Sequence, residues 1–488
     1  MQALWEKFAG RTARIVILAV FRMGWSRSVN SREHTEAHPC RRVDRGEGPE
    51  ESWPPGPGST TALRTRKNSV GVLVDLALTP TSGGHVRFWR NIAEAAAEGG
   101  CEFDLSFHFQ AAASAGESST QLAEGVRVVS LPPVFSTGRL ASLSQGPDDA
   151  DLAPYHPRLA HYLRGYDVIH TTDAYFAYAK TAVRTHDRSR QALVTSIHSD
   201  VPAYTRLYSE RILLKFLGNG GLARRAVGRW SWPQRAEARM RASLTHHLAG
   251  CDHIWLAPNE RAENPNSAPI RGDRSLLQRG LDWEIFSPHH RDRARLLAEF
   301  KIDSEAFVLI FSGRIDIGKE VMVAAQAARI LLDRGENVVF ILAGLGSDAD
   351  KIRDLLGSAV RLPGFVDQKE LGRMLASSDA FVFPSRIETA ANAVIEARAT
   401  GLPVVVSPGI ADMWVRDDGV DGIVVDEQEP ELWAAAIQRL MCDRDRARKM
   451  GSVASAAIAK SQPSWHEVLT HELVPGWRRS IEKFGLSS

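Results

Sequence analysis

Cysteine is scarce in this chain. Only Cys40, Cys101, Cys251 and Cys442 occur in 488 residues, and they are far apart with no C-x-x-C pair. That spacing excludes a cysteine-based zinc site and a disulfide framework, and it fits a reducing, cytoplasmic setting. An excess of charge of one sign is lacking too. The net charge of +2 leaves no footprint for a polyanion, so no nucleic-acid partner is expected. Long apolar runs are also missing. Ile15 to Phe21, flanked by Arg11, Arg14 and Arg22, is far shorter than the roughly 20 residues that span a bilayer. The stretch RMGWSRS that follows offers no small-residue cleavage site, which argues against a signal peptide. From Ser26 to Lys67 periodicity itself is absent. The chain there is polar and includes GEGPEESWPPGPGS, so residues 1–68 read as a disordered leader.

What remains has ordinary globular composition, 44% apolar and 24% charged. It exceeds the roughly 250–300 residues over which one core grows, so two domains are expected. The first, residues 69–262, opens with the apolar run SVGVLVDLAL, a turn at Gly83 and Gly84, and the helically spaced HVRFWRNIAEAAAEGG. Further apolar runs at Val126–Leu131, Tyr166–His170, Ala192–Ile197 and His253–Ala257 are separated by enough chain for crossover helices, which implies a parallel sheet. A linker rich in Pro, Asn and Gly is read at Ala262–Asp273. The pattern then restarts over residues 263–462. Its strands are expected at Phe307–Phe311, Asn337–Ala343, Val360–Leu362, Ala380–Phe383, Pro403–Val406 and Gly422–Val425. A last helix after Pro463, in 463–488, is expected to reach back to the first domain. The fold class is therefore α/β, with two Rossmann-like, doubly wound sheets. Their ligands belong outside the carboxyl ends of the strands, in a central cleft.

The most informative stretch is Phe381 to Val406, FVFPSRIETAANAVIEARATGLPVVV, in which a strand enters a polar loop and then a helix. Thr389 is a candidate N-cap, so the amides of the next turn could hold a phosphate. Glu388 is a hydrogen-bond acceptor beside that turn, and Glu396, about two turns further, could reach a ribose diol. Arg314 and Lys319 of SGRIDIGKE are two cations that could stabilise negative charge on a phosphate held there.

These segments resemble the family-four retaining glycosyltransferases of GT-B fold. The frame is carried by Pro384, Ser385, Glu388, Thr389, Asn392, Val394, Glu396, Ala397, Gly401, Leu402, Pro403 and Val404. SGRIDIGKE resembles the family's G-R-x-x-x-x-K loop and LAGLGSDADKI its A-G-x-G loop. LPGFVDQKELGRMLASSDAFVFPS resembles its G-F-V segment, and RGLDWEIFSP its interdomain G-V-D-x-x-x-F-x-P. The local match is nearest to α-mannosyltransferases and sulfolipid-synthase-like enzymes. The resemblance implies a metal-independent transfer of a sugar from a UDP- or GDP-sugar to a lipid or glycan acceptor, with retention. Arg314, Lys319, Glu388 and His198, in SIHSDVPAYTRLY, would serve catalysis. Gly83, Gly84, Gly313, Gly344, Phe365, Thr389, Asn392 and Glu396 would bind the donor. His198 would position a sugar rather than act as general base. No cofactor or metal is expected: the Asp-x-Asp pairs Asp348/Asp350 and Asp443/Asp445 run into helices, and the first pair reads as capping.

Residues 206–241 carry nine Arg and Lys against two Glu, together with Phe216, Leu217, Trp230 and Trp232. Such a mixture suits an anionic membrane surface, and so a peripheral position at its inner face. Three departures from the family pattern stand out. Ala390 and Ala391 replace the usual Phe/Gly-Gly positions before Asn392, Glu320 follows Lys319 where Gly or Asn is common, and PGIAD replaces a Gly-Gly near the donor phosphates. The rival readings are a non-catalytic sugar-nucleotide-binding module and a GT-B epimerase.

Overall fold

A computed structural model describes residues 67–79, 82–112, 115–136, 151–217, 228, 231–257 and 272–484. The leader up to residue 66, most of the linker, and residues 218–227 and 229–230 of the basic segment lie outside the described residues.

The first sheet contains β1 (Ser69–Ala77), β2 (Asp104–Gln110), β3 (Ser118–Ala123), β4 (Val126–Leu131), β5 (Val168–Thr171), β6 (Ala192–Ser196), β7 (His253–Leu256) and β8 (Asp273–Leu276). Their order is β3-β4-β2-β1-β5-β6-β7-β8, and only β3 runs antiparallel. The second contains β9 (Phe307–Ser312), β10 (Val338–Ala343), β11 (Val360–Gly364), β12 (Ala380–Phe383), β13 (Val404–Val406) and β14 (Ile423–Val424). It is wholly parallel, in the order β11-β10-β9-β12-β13-β14. Strand order reverses between β1 and β5 and again between β9 and β12. Those two gaps are where a doubly wound sheet opens a ligand crevice.

Interior strands follow the sequence closely because both faces are covered. All of Phe307–Ser312 and Val338–Ala343 is buried, as continuous apolar runs in a parallel sheet should be. Three strands escape that signal. β2 alternates Leu105, Phe107 and Phe109 with polar residues that are buried on hydrogen bonds, such as His108 on Tyr166 (2.7 Å) and Gln110 on Asp75. β3 and β8 are edge strands of polar composition. β8 pairs in register with β7, so the first sheet continues to Leu276, past the boundary drawn at 262; Asp273, read as linker, begins that strand.

Helix α1 (Gly84–Gly99) lays Val86, Trp89, Ile92, Ala93 and Ala96 against the first sheet and ends at Gly100, whose φ of 73° suits glycine. The chain after Pro463 is helical through Trp465–Glu467, π-helical over Val468–Leu473, and α-helical again over Val474–Glu482. It opens with a capping box between Ser464 and Glu467. Its Leu469, Leu473, Trp477 and Ile481 share one core with Val70, Val72, Val74 and Trp89. A fully buried side chain of the size of Trp477 stabilises by on the order of 3–5 kcal/mol. The C-terminus therefore belongs physically to the first sheet, although it follows the second.

Candidate functional site

The loop after β9 turns at Gly313, where φ is 139°, and closes through Asp316, whose carboxylate accepts the Gly318 amide at 2.9 Å. This turn places Lys319 just before helix α4, with the intervening helices α2 (Val201–Leu217) and α3 (Trp232–Leu248) in the first half and α4 spanning Val321–Asp333. Lys319 ion-pairs with Glu388, and Ser385 donates to the same Glu388 oxygen at 2.9 Å. Burial pulls the Lys319 ammonium down, but Glu388 and Tyr204 outweigh it and hold the group above its ordinary value. Arg314 lies 3.7 Å from Asp316, with its guanidinium 6.0 Å from the centre of the Tyr204 ring. Arg314, Lys319 and Glu388 are thus brought to one place, at the switch between β9 and β12.

The first half reaches this place through α2. Tyr204 donates to the Ile387 carbonyl (2.9 Å) and Tyr208 to Asp316 (3.2 Å). Two tyrosines four apart on a helix share one face, so their spacing was a legible signal. Tyr208, Asp316 and Ser385 were nonetheless not among the site residues expected from the sequence.

The helix after the Glu388 loop is α5 (Asn392–Ala399), and its start corrects one expectation. Thr389 is not the N-cap. Ala391 holds that position, in the left-handed region at φ 49° and ψ 52°, without a side-chain cap. The Thr389 hydroxyl instead donates to the His198 carbonyl at 2.7 Å and so ties the two halves together. Glu396 consequently lies one turn into the helix rather than two. It is 94% buried, pairs with Arg87 of α1 at 3.7 Å, and leaves Oε2 without a hydrogen-bond partner among the described residues. Burial raises its carboxyl and Arg87 opposes that shift. Gly83 is the N-cap of α1, and a Cβ on Gly84 would lie 3.4 Å from Asn392 Nδ2. Two helix starts from opposite halves therefore face each other, a geometry that concentrates backbone N–H groups and partial positive charge.

Gly313 and Gly344 meet backbone to backbone. The Gly313 amide donates to the Ala343 carbonyl at 3.0 Å, and a Cβ on Gly344 would collide with the Gly313 carbonyl. Phe365 is 48% exposed, and Leu345 and Ile317, in the loops after β10 and β9, are exposed as well. His198 lies at the end of β6. Its ring contacts Ser196 (2.8 Å) and Arg279 (2.7 Å) and stacks on His85 with 4.5 Å between centroids. Burial first, then Arg279, His85 and His170, hold His198 well below the ordinary histidine range. Arg279 carried no signal in the sequence, because its role depends on where the interdomain segment runs.

The departures resolve locally. Glu320 also adopts positive φ, at 52°, and its carboxylate is taken up by Arg386 through contacts of 2.7 to 3.0 Å. Its charge is therefore offset. Pro408 starts a short helix whose N-cap Ser407 donates to the Ser385 carbonyl. Asp348 sits at a helix N-cap position but pairs with Lys351 instead of capping an amide, whereas Asp443 caps through the Arg446 amide at 2.9 Å. No group of three His, Cys, Asp or Glu suited to a metal occurs among the described residues. In the basic segment Arg206 and Arg241 both pair with Glu237, which links α2 to α3. No helix among the described residues is long and apolar enough to cross a membrane.

Residues 292–456 match the family described as Glycosyl transferases group 1. That segment holds Arg314, Lys319, Phe365, Glu388, Asn392 and Glu396. D-inositol 3-phosphate glycosyltransferase 1 of Catenulispora acidiphila is 33% identical over 220 residues, covering 42% of this chain and 51% of the relative. The D-inositol 3-phosphate glycosyltransferase of Paenarthrobacter aurescens is 30% identical over 210 residues, covering 41% and 48%. The chain thus spans about half the length of the curated relatives it matches. Sucrose-phosphate synthase from Thermosynechococcus elongatus superposes with a TM-score of 0.61 at 20% identity, over 85% of this chain and all of that one. Anabaena Alr3699/HepE, in complex with UDP and glucose, gives 0.55 at 16% identity over 86% and 100%. The fold is GT-B, with two parallel-dominated α/β sheets.

Proposed function

We propose that this protein is a glycosyltransferase that moves a hexosyl group from a UDP- or GDP-sugar to a lipid or glycan acceptor with retention. The observation that carries the reading is the convergence of Lys319, Glu388 and Arg314 beside the facing starts of α1 and α5. In the reaction the C1–oxygen bond to the diphosphate breaks while an acceptor oxygen bonds to C1 from the same face, and its proton passes to the departing phosphate. Lys319, Arg314 and the two helix starts stabilise the negative charge on the leaving group more than that of the intact donor. Glu388 sets the position of the Lys319 ammonium. Glu396 Oε2, without a hydrogen-bond partner among the described residues, accepts from a ribose diol, and Phe365 offers a face to the base. His198 positions the sugar. The side-chain cations supply the charge a metal would otherwise give, so the reaction proceeds in the presence of a chelator. The UDP carried by the HepE structure supports a uridine donor. The basic and aromatic stretch 206–241 supports docking on anionic lipid at the cytoplasmic face, and co-sedimentation with anionic liposomes reads that directly.

Incubation with UDP- and GDP-sugars tests the whole reading. Nucleotide release supports transfer, an altered sugar supports an epimerase, and a thermal shift without turnover supports a binding module.

A further inference from the structure

Arg279 is 96% buried on the segment that crosses from the first sheet to the second. That segment runs beside the returning chain: the Leu281 amide donates to the Pro463 carbonyl at 3.0 Å, and Gln462 donates to the Arg279 carbonyl. The guanidinium lies 4.8 Å from the centre of the Phe88 ring, its Nε has no hydrogen-bond partner among the described residues, and its Nη1 meets His198 Nδ1 at 2.7 Å. An arginine can only donate. His198 Nδ1 is therefore an acceptor, and the ring proton of the neutral imidazole is on Nε2, directed at Ser196 Oγ, 2.8 Å away.

The other side of Ser196 is constrained in the same way. Trp477 Nε1, also donor only, meets His170 Nδ1 at 3.0 Å, so His170 carries its proton on Nε2, 3.0 Å from the same Ser196 Oγ. Ser196 accepts from both rings. A second proton on His198 Nδ1 would face the N–H of Arg279, so the cation is excluded by geometry as well as by burial. His198 meanwhile holds Thr389 of the second half through its carbonyl.

We propose that Arg279 is a positioning residue which, with Trp477 and Ser196, locks His198 as the Nε2–H tautomer with both ring nitrogens engaged. The charged and titratable groups facing His198 are Arg279 from the interdomain segment, His85 from α1 and His170 from β5; Glu472 lies on the far side of Arg279. With neither nitrogen free, His198 neither takes nor gives a proton in turnover. It serves as a fixed wall for the sugar, set by the same segment that joins the two halves. This catalytic consequence rests on the function proposed above; the tautomer does not.

Long-range 1H–15N correlation on the full-length protein labelled in histidine reads the tautomer, with His198 assigned by the signals lost in His198→Asn. The expected result is Nε2–H alone, without titration between about pH 5.5 and 8.5. In Arg279→Met an Nδ1–H or doubly protonated population appears, and Arg279→Lys restores the wild-type pattern. A wild-type His198 that carries its proton on Nδ1, or titrates in that range, overturns the proposal whether or not the variants fold. So does an Arg279→Met spectrum unchanged at His198. In nucleotide release, Arg279→Met is expected to lower kcat by about tenfold or more, to add an acid limb to the pH profile, and to leave KM for the donor within about twofold. If the wild type releases no nucleotide from any sugar, the functional reading falls and the spectra still decide the tautomer.

Discussion

The two sheets differ in how they hold many of their buried polar groups, although the first half also buries Asp75, Asp151, Asp173 and Arg279. Around the first, His108, His170, His198, His247 and His253 are buried and driven by that burial below the ordinary histidine range. They are neutral and hydrogen-bonded, to Tyr166, Ser196, Thr171 and Ser275. Around the second, buried charge survives and is paired: Arg398 with Asp421 at 2.8 Å, Arg373 with Glu299 at 2.6 Å, and Lys319 with Glu388. Neutral hydrogen-bonding groups of fixed direction suit hydroxyls, whereas fixed charges in a dry setting suit a diphosphate. On the function proposed above, the polarity of the first core would suit an acceptor and that of the second a donor.

The comparison breaks most readily at Lys319 and Glu388, whose side chains are only 15% and 12% exposed. Lys319→Met should lower nucleotide release by about 10²–10³-fold. It should also destabilise by about 3–5 kcal/mol, because the Glu388 charge then lies in a dry setting without the Lys319 ammonium. The double variant Lys319→Met, Glu388→Met should recover most of that stability and none of the activity. Urea denaturation with a nucleotide-release assay across the four proteins separates the two effects. If the double variant stays as unstable as the single ones, the ion pair between Lys319 and Glu388 is not what the stability loss reports.

The first half is sharpened by pH. Glu472, in the π-helical turn packed on the first sheet, accepts the Gln278 amide at 2.7 Å, and burial raises its carboxyl from 4.5 to about 7. Between those values the folded protein binds a proton that the unfolded chain has lost, so this group's contribution falls as pH rises through the window. Glu472→Gln should match the wild type near the lower limit and exceed it by about 1–3 kcal/mol above the upper one. Urea midpoints at the two ends of the window check the sign; an equal offset at both assigns the effect to packing instead.

The same contrast explains which elements the residues alone disclose. Continuous apolar runs such as FVLIF and NVVFILA were legible because both faces of a parallel strand are dry. Asp273–Leu276 was not, since an exposed edge strand has no hydrophobic face to betray it. Within the site, Arg314, Lys319 and Glu388 were readable because they fall in short local motifs. The Arg87–Glu396 pair, the Thr389 bond to His198 and the Arg279 contact all join segments distant in sequence, and no local pattern fixes which face will meet which. Thr389 shows the limit best: its type and position suited a cap, and a tertiary partner took its hydroxyl.

The smallest effect lies where cap chemistry failed. Ala391 initiates α5 at φ 49°, in a region where a Cβ crowds the following carbonyl at a cost of about 1–2 kcal/mol. Its neighbour Ala390 is held by Trp414, which donates to the Ala390 carbonyl at 2.8 Å, so the turn cannot simply relax. Ala391→Gly should therefore raise stability by about 1 kcal/mol, less whatever the unfolded chain gains in freedom. A rise in the thermal midpoint with nucleotide release unchanged would mean that the strain is a local cost of folding. A rise accompanied by slower release would mean that the Ala391 turn holds the helix start at the angle the leaving diphosphate needs, which makes strain in the charged half the counterpart of tautomer control in the neutral one.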